Sequence, residues 1–205
     1  MKNLILASSS PRRREILGQL GLDFDILPCG ADETLEDGIS PCTAVKILSA
    51  RKADAAISHL MPDGEPHVIL AADTVVSADG EIFGKPKDEM DAERMLRTLS
   101  GRVHEVITGV TVTSVGSDGG VITKETSAVM CRVSMREMTA DEICAYIKTK
   151  EPLDKAGAYG IQGMGGAFVS RVEGDYFAVV GLPKCESARL LSNAEIDVFT
   201  NISAK

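Results

Sequence analysis

The hydrophobic positions of this chain form two kinds of pattern: short continuous runs and stripes with helical spacing. Runs at residues 4–7, 24–27 and 68–72 predict buried strands, and the last continues through residues 74–77 to a turn at Asp79-Gly80. Residues 106–115 and 121–133 are rich in β-branched side chains and flank the sequence GSDGG, which predicts a hairpin. Two further strands are predicted at residues 168–172 and 176–180.

Helix-start signals precede each stripe of helical spacing. Ser10-Pro11 and Ser40-Pro41 each place a capping hydroxyl before a proline, Asp88 is a third cap, and Thr139 with Glu142 forms a capping box. The first helix is expected to end at Gly21, the second near residue 58 and the third at Gly101, and a last helix is expected from Pro183 onward. The mixture of strands and helices predicts an α/β fold.

Composition narrows the class of protein. The 205 residues suit one domain with a real core, and 44% hydrophobic and 25% charged residues are ordinary for a folded protein. A net charge of -8 and only 4% aromatic residues disfavour nucleic-acid binding, which needs a basic face or stacking platforms. Five cysteines without a C-x-x-C pair indicate reduced thiols, and the three histidines lack zinc-ligand spacing.

Targeting signals are not evident either. The first apolar run is too short for a signal-peptide core, and no run approaches the roughly 18 apolar residues of a membrane span. We therefore expect a cytoplasmic protein that binds no membrane.

The sequence ASSSPRRR, residues 7–14, concentrates hydroxyls and positive charge where a strand enters a helix. The first N–H groups of a helix lack partners and the helix dipole is positive there, so this is a candidate anion site. Ser8 and Ser10 offer donors, and Arg12 and Arg13 offer bidentate contacts to phosphate oxygens. A capped helix with solvated arginines is an equally good interpretation of this stretch by itself. It is not a Walker A loop.

Two further motifs carry charged groups. Asp73 closes the apolar run of ILAADTVV, where a carboxylate at the end of a central strand lies at the usual ligand-binding edge of an α/β sheet. It is suited to bind Mg²⁺ or to accept a proton from water; the alternative is a turn aspartate. Lys85, in FGKPKD, is held outside the α region by Pro86 and is a candidate phosphate partner or a solvated turn residue.

The glycine-rich sequence KAGAYGIQGMGG, residues 155–166, surrounds Gln162. A glutamine amide both donates and accepts, so it is able to read the C=O, N–H, C=O edge of uracil or thymine. The alternative is a purely structural loop, since glycines also serve unusual backbone dihedrals. Two weaker candidates are Glu33, as a metal or sugar ligand, and Lys52, as a phosphate contact; a solvated surface is the default for both.

Taken in order, these segments resemble the Maf family of nucleoside triphosphate pyrophosphatases over nearly the whole chain. The matching strings are LASSSPRRREIL, ADET, RKADAA, AADTVV, GKPKD, LSGRVHEVITGV, KAGAYGIQGMGG and VEGDYFAVVGLP. The resemblance implies a single domain over residues 1–205, with an elongated mixed-sheet fold, similar to inosine triphosphatases, whose two lobes flank a nucleotide-binding cleft. It also implies hydrolysis of a nucleoside triphosphate to the monophosphate and pyrophosphate with a divalent metal, Mg²⁺ or Mn²⁺, and a homodimer.

Matching motif by motif, the resemblance implies roles for ten residues. The phosphate loop falls on Ser8, Ser10, Arg12 and Arg13, the acidic metal or substrate ligand on Glu33, and the helical lysine on Lys52. The catalytic aspartate, also a candidate metal ligand, falls on Asp73 and the motif lysine on Lys85. The string GIQG resembles the subfamily acting on dTTP and UTP, whose specificity positions fall on Arg12, Thr74 and Gln162.

The chain departs from the family pattern at Ala178, where asparagine is common, and its SHLMPDGEPH stretch appears extended. Two other functions stay open at this point. One is regulation of septum formation by binding a division partner, and the other is hydrolysis of a modified purine nucleotide.

Overall fold

A computed structural model describes residues 2–36, 38–61 and 63–199. The strands are β1 (Asn3–Leu6), β2 (Asp25–Ile26), β3 (His67–Ala78), β4 (Glu81–Phe83), β5 (Val103–Val115), β6 (Val121–Met135) and β7 (Val169–Glu173). The α-helices are α1 (Pro11–Gly18), α2 (Pro41–His59), α3 (Glu89–Leu99), α4 (Ala140–Lys148), α5 (Tyr176–Val180) and α6 (Lys184–Asn193). Short 3₁₀ helices cover Glu151–Asp154, Ala156–Ala158 and Met164–Phe168.

The strands form a mixed sheet in the order β2-β1-β3-β5-β6-β7, with β4 paired to β3. Strand β1 runs parallel to both β2 and β3. Strand β4 runs antiparallel to β3, and β7 runs antiparallel to β6. Strand β3 is buried along its whole length except at Thr74, as the continuous apolar run predicts for a central strand. The α/β class with a mixed sheet is therefore confirmed.

Two predicted elements differ from the structure. Residues 176–180 form helix α5 and not a strand, because Asp175 accepts hydrogen bonds from the Phe177 N–H on its side chain and from the Ala178 N–H on its carbonyl. These bonds start a helical turn that the β-rich composition hides. Helix α1 ends at Gly18, and tighter i→i+3 bonds lead on to Gly21, which has a φ of 71°.

The chain divides into two compact units made of interleaved segments. The first unit comprises Met1–Asp73, Thr108–Val129 and Gly181–Lys205, and the second comprises Thr74–Ile107 and Met130–Val180. A small-residue core lies in the first unit, formed by side chains of β1, α2, β3 and β5: Ile5, Ala7, Ala53, Ala56, Ile69, Ala71 and Val115.

The core of the second unit contains four aromatic side chains. Side chains from β3, β4 and α3 pack with those of α4 and the glycine-rich segment, and they include Val76, Phe83, Leu96, Leu99, Ile143, Tyr146, Tyr159 and Phe168. The capping box predicted for α4 is present, with Thr139 and Glu142 each accepting a backbone N–H of the other. The caps at Ser40 and Asp88 are also confirmed.

Candidate functional site

In the first unit, β1 leads directly into the serine–arginine sequence at the start of α1. The Ser8 hydroxyl is buried and accepts a hydrogen bond from the Ser10 N–H at 3.2 Å. Ser10 occupies the N-cap position of α1, as predicted, but its hydroxyl accepts no capping hydrogen bond. The first turn of α1 contains no acidic residue, so the positive end of the helix dipole is not neutralised from within.

Arg13 is anchored by two hydrogen bonds within the first unit. Its Nε donates to the Gly181 carbonyl at 2.9 Å and its Nη1 donates to the Ser8 hydroxyl at 3.3 Å. Burial lowers the pKa of the Arg13 guanidinium, while the charge of Asp73 acts in the opposite direction and raises it. Arg12 and Glu33 also act electrostatically on Arg13, so these groups lie close together.

Lys52 links the two acidic candidates. Its Nζ forms a short hydrogen-bonded ion pair with Asp73 Oδ1 and lies 2.9 Å from Glu33 Oε1. The Asp73 side chain is only 11% exposed, so it is a buried carboxylate with a cationic partner and not a turn aspartate. Two carboxylates therefore converge on one cationic nitrogen in the first unit.

Helix α2 carries Lys52 and lies against β5 at an unusually short distance. A Cβ atom added to Gly109 on β5 would stand 2.5 Å from the Val45 carbonyl carbon. Only glycine permits this approach of backbone to backbone. The fixed position of α2 in turn fixes Lys52 beside the end of the first unit's part of β3.

Arg51, the neighbour of Lys52 on α2, holds the loop that carries Glu33 and was not among the predicted site residues. Its Nη1 donates to the carbonyl oxygens of Thr34 at 2.5 Å and Asp32 at 3.1 Å. These bonds hold the loop on both sides of Glu33. In the sequence, only the position of Arg51 next to Lys52 pointed to this role. Its partners are backbone carbonyls, which every residue has, so no sequence pattern reveals them.

The other three predicted residues, Thr74, Lys85 and Gln162, belong to the second unit. Thr74 is half-buried, whereas Lys85 and Gln162 are exposed. The turn that carries Lys85 meets the glycine-rich segment, since the Gly157 N–H donates to the Gly84 carbonyl at 3.1 Å. Gly157 has a φ of 67°, and a Cβ there would lie 2.8 Å from Val76 Cγ2 on β3.

The donor set for a metal is small. Among the residues that the structure describes, no group of three or more His, Cys, Asp and Glu side chains is placed to hold a metal ion. The convergence of Glu33 and Asp73 on the ammonium of Lys52 shows that these two carboxylates suit a cation at that position. Mg²⁺ is commonly held by one or two carboxylates, with substrate phosphates and water completing its shell.

Comparison with known proteins identifies the family of this chain. A family model described as Maf-like protein matches residues 3–194. The chain belongs to the Maf family. The dTTP/UTP pyrophosphatase of Bacillus pumilus is 45% identical over 199 residues, covering 97% of this chain and all of that protein. The dTTP/UTP pyrophosphatase of Alkaliphilus metalliredigens is 46% identical over 191 residues, covering 93% of this chain and 95% of that one.

Among solved structures, a nucleoside-triphosphatase (dITP/XTP pyrophosphatase) from Mycobacterium abscessus is similar at a TM-score of 0.41 and 15% identity, over 96% of this chain and 97% of that one. The α/β assignment of this Maf protein rests on its own strands and helices.

Both departures from the family pattern lie largely in described parts of the chain. Ala178, where the family pattern has asparagine, is fully buried in α5. In the SHLMPDGEPH stretch, helix α2 extends to His59, and Met61 and residues 63–65 are exposed, as expected for a surface loop. All five cysteines are free. No helix within the described ranges has the length and apolar character needed to cross a bilayer.

Proposed function

We propose that this protein is a nucleoside triphosphate pyrophosphatase that hydrolyses dTTP and UTP to the nucleoside monophosphate and pyrophosphate. The observation that carries the proposal is the buried carboxylate of Asp73, which shares the Lys52 ammonium with Glu33 beside the arginine-rich start of α1. The names of relatives at 45% and 46% identity, over almost the full chain, support the substrate assignment.

The phosphate-binding residues are proposed from charge and donor geometry. Ser8, Ser10, Arg12 and Arg13 surround the start of α1, and the helix dipole adds positive potential there. Lys52 and Lys85 are the two lysines assigned to phosphate oxygens. A polyphosphate with about four negative charges needs such a local concentration of donors in a protein whose net charge is -8.

Glu33 and Asp73 are proposed to hold a divalent cation, Mg²⁺ or Mn²⁺. Both are hard oxygen donors that already converge on a cationic nitrogen, which is the arrangement a divalent ion requires. When bound, the metal supplies positive charge that polarises the α-phosphoryl group.

The chemical step needs a base and stabilisation of the leaving group. In our proposal, Asp73 accepts a proton from a water whose oxygen forms a bond to the α-phosphorus. The bond from the α-phosphorus to the bridging oxygen breaks, and pyrophosphate leaves with that electron pair. The arginines and lysines stabilise the charge that develops on the leaving pyrophosphate.

Base selection is proposed for Arg12, Thr74 and Gln162. The Gln162 side chain is exposed and carries one acceptor and two donors, which match the alternating edge of uracil and thymine. Cytosine presents a donor at the exocyclic position where uracil presents an acceptor, so a Gln162 amide that is held in one orientation discriminates between the two pyrimidines.

Pyrophosphate release from a panel of nucleoside triphosphates with Mg²⁺ or Mn²⁺ tests the proposal. We expect selective hydrolysis of dTTP and UTP, and a loss of about 10²–10⁴ in kcat for Asp73→Asn, the usual contribution of a general base. Asp54→Asn is the matched control, since Asp54 is an exposed aspartate of the same unit that pairs with Lys124.

Three outcomes would contradict parts of this assignment. Near-normal kcat in folded Asp73→Asn would remove Asp73 from the chemistry. Selective hydrolysis of a purine nucleotide would keep the reaction and overturn the role of Gln162. Absence of hydrolysis of every nucleotide by folded wild-type protein would favour a role in binding a division partner.

A further inference from the structure

The residues around Gln162 form a compact loop with its own support. We call residues 160–166 the Gln162 loop. Within it, the Gly163 N–H donates to the Gly160 carbonyl at 3.2 Å and the Gly166 N–H donates to the Gly163 carbonyl at 3.1 Å. Gln162 itself is exposed at the first of these two turns. The orientation of its amide therefore depends on what holds the loop.

Glu151 binds the loop on the C-terminal side of Gln162. This residue begins the first 3₁₀ helix after α4, outside the loop and eleven positions before Gln162. Its Oε2 accepts the Met164 N–H at 2.9 Å, and its Oε1 accepts the Gly165 N–H at 3.2 Å. One side-chain carboxylate thus anchors two consecutive backbone amides.

Tyr146 extends this anchor to the N-terminal side of Gln162. Its buried hydroxyl donates to Glu151 Oε1 at 2.8 Å and accepts the Gly160 N–H at 3.1 Å. The pair formed by Tyr146 and Glu151 therefore bonds to the loop both before and after Gln162. Hydrogen bonds to a charged acceptor are stronger than neutral ones, so the carboxylate is the main anchor.

The glycines of the loop make room for this pair. A Cβ on Gly163 would lie 2.5 Å from the carboxyl carbon of Glu151, and a Cβ on Gly165 would lie 2.5 Å from the Tyr146 hydroxyl oxygen. Side chains at these positions would displace the anchor. Glycine is therefore required at both positions so that the loop can contact Glu151 and Tyr146. From the sequence alone, the same glycines could equally have made room for a ligand.

The anchor is charged at neutral pH. Burial raises the pKa of the Glu151 carboxyl, but the hydrogen bonds from the Met164 N–H and the Tyr146 hydroxyl outweigh burial, and the pKa is lowered overall. Lys155 adds to this effect electrostatically. An ionised carboxylate accepts all three hydrogen bonds at once.

We propose that Glu151 is a positioning residue for base selection: by anchoring Met164 and Gly165 it fixes the Gln162 amide in the orientation that matches a uracil or thymine edge. This inference rests on the proposed function, because it assigns Gln162 to the base. Glu151 itself contacts neither substrate nor the reacting atoms.

The test uses Glu151→Gln and Tyr146→Phe in the full chain. Glutamine keeps the shape of the side chain but replaces one acceptor oxygen with an NH₂ group, which cannot accept an amide N–H. Glu142→Gln is the matched control. Like Glu151, Glu142 lies in the second unit and accepts a backbone N–H, here that of Thr139 in the capping box of α4; its other donor is Arg136. Two readouts are measured: the ratio of kcat/KM for UTP to that for CTP, and hydrogen exchange of the loop amides.

For Glu151→Gln we expect the UTP/CTP ratio to fall about tenfold, with faster exchange at Met164 and Gly165, because a charge-assisted anchor is lost. Tyr146→Phe should show the same change to a smaller extent. Glu142→Gln should leave both readouts at wild-type values.

An unchanged UTP/CTP ratio in Glu151→Gln, with or without faster exchange, would overturn the inference, since Glu151 would then be structural only. A changed ratio with unchanged exchange would overturn the loop mechanism. The proposed function fails in a different way, by absence of nucleotide hydrolysis in the wild-type protein, and the two failures are thus distinguishable.

Discussion

At the scale of single residues, Lys52 explains how the first unit keeps a carboxylate buried. A buried carboxylate without a partner is costly, and Lys52 provides both the opposite charge and a donor for Asp73. Glu33, which is largely exposed, shares the same ammonium at 2.9 Å. Lys52 thus holds the proposed catalytic carboxylate in its ionised form and in a defined place while no metal or substrate is bound.

His104 gives a prediction about stability and pH. It is buried beside Tyr159, whose hydroxyl lies 2.8 Å from its Nε2, and burial lowers the pKa of His104 from 6.5 to about 4. The unfolded chain therefore binds a proton on this histidine at a higher pH than the folded chain. The stability that the protein gains from burying neutral His104 is therefore fully present above pH 6.5, and it is lost as the pH falls towards 4.

We expect this loss to be about 3 kcal/mol of unfolding free energy between pH 6.5 and 4, from the size of the pKa difference. Urea denaturation of wild type and His104→Gln at several pH values measures it. The variant should show a shallower pH dependence in that window. Parallel curves for the two proteins would refute the assignment. Carboxyl groups such as Glu142, whose pKa is lowered from 4.5 to about 2 chiefly by its Arg136 hydrogen bond, are present in both proteins and cancel from the comparison.

Whether a site residue could be predicted from the sequence depended on what it binds in the structure. Motif position was enough to nominate Asp73, Glu33 and Lys52, and the structure brings these three together. Arg51 and Glu151 were not nominated, because their partners are backbone groups of irregular loops. Such groups are present at every residue, so no residue type in the sequence marks them.

At the scale of elements, helix starts that a side chain caps were predictable because the signal is local. Ser40, Asp88 and Thr139 each accept the expected backbone N–H. Ser10 is the N-cap residue of α1 as predicted, but its side chain accepts no backbone N–H there. The predicted strand at residues 176–180 was wrong, since β-favouring side chains were outweighed by the turn that Asp175 starts.

The contact of α2 with β5 gives a prediction for Gly109→Ala. The added methyl group would be forced against the Val45 backbone, which no change of rotamer relieves. We expect a loss of about 1–3 kcal/mol in unfolding free energy, the usual cost of overpacking. Because the shift of α2 also moves Lys52, kcat should fall in the protein that remains folded.

Gly18→Ala is the control for this substitution. Gly18 is the last residue of α1, and a Cβ there meets nothing within 4 Å. Alanine at this position should be neutral or stabilise by up to about 1 kcal/mol, from its higher helix propensity. Equal stability of Gly109→Ala and wild type by urea denaturation would show that the backbone contact yields easily.

At the scale of the whole molecule, the net charge of -8 opposes the binding of an anion. In our proposal, the serine–arginine sequence and a divalent cation together overcome this repulsion. Metal and nucleotide should therefore bind with positive coupling, because each supplies ligands or charge that the other requires.

Thermal denaturation measures this coupling. A non-hydrolysable α,β-methylene analogue of dTTP at about 100 times its Kd, with Mg²⁺, should stabilise the protein by about 2.7 kcal/mol, or about 5–10 °C in Tm. Without Mg²⁺, or in the presence of EDTA, the increase in Tm should be much smaller. Asp73→Asn should lose the part that depends on Mg²⁺. An equal increase with and without the metal would argue against the two-carboxylate site.

The interleaved segments of the two units also determine the order in which they are completed during synthesis. The second unit has all its residues once Val180 has left the ribosome, whereas the first unit still lacks the segment that begins at Gly181 and contains α6. Arg13 is synthesised early, but its Nε hydrogen bond cannot form until the Gly181 carbonyl has been synthesised. Arg13, which we propose binds phosphate, is therefore among the first residues translated and among the last to reach its final position.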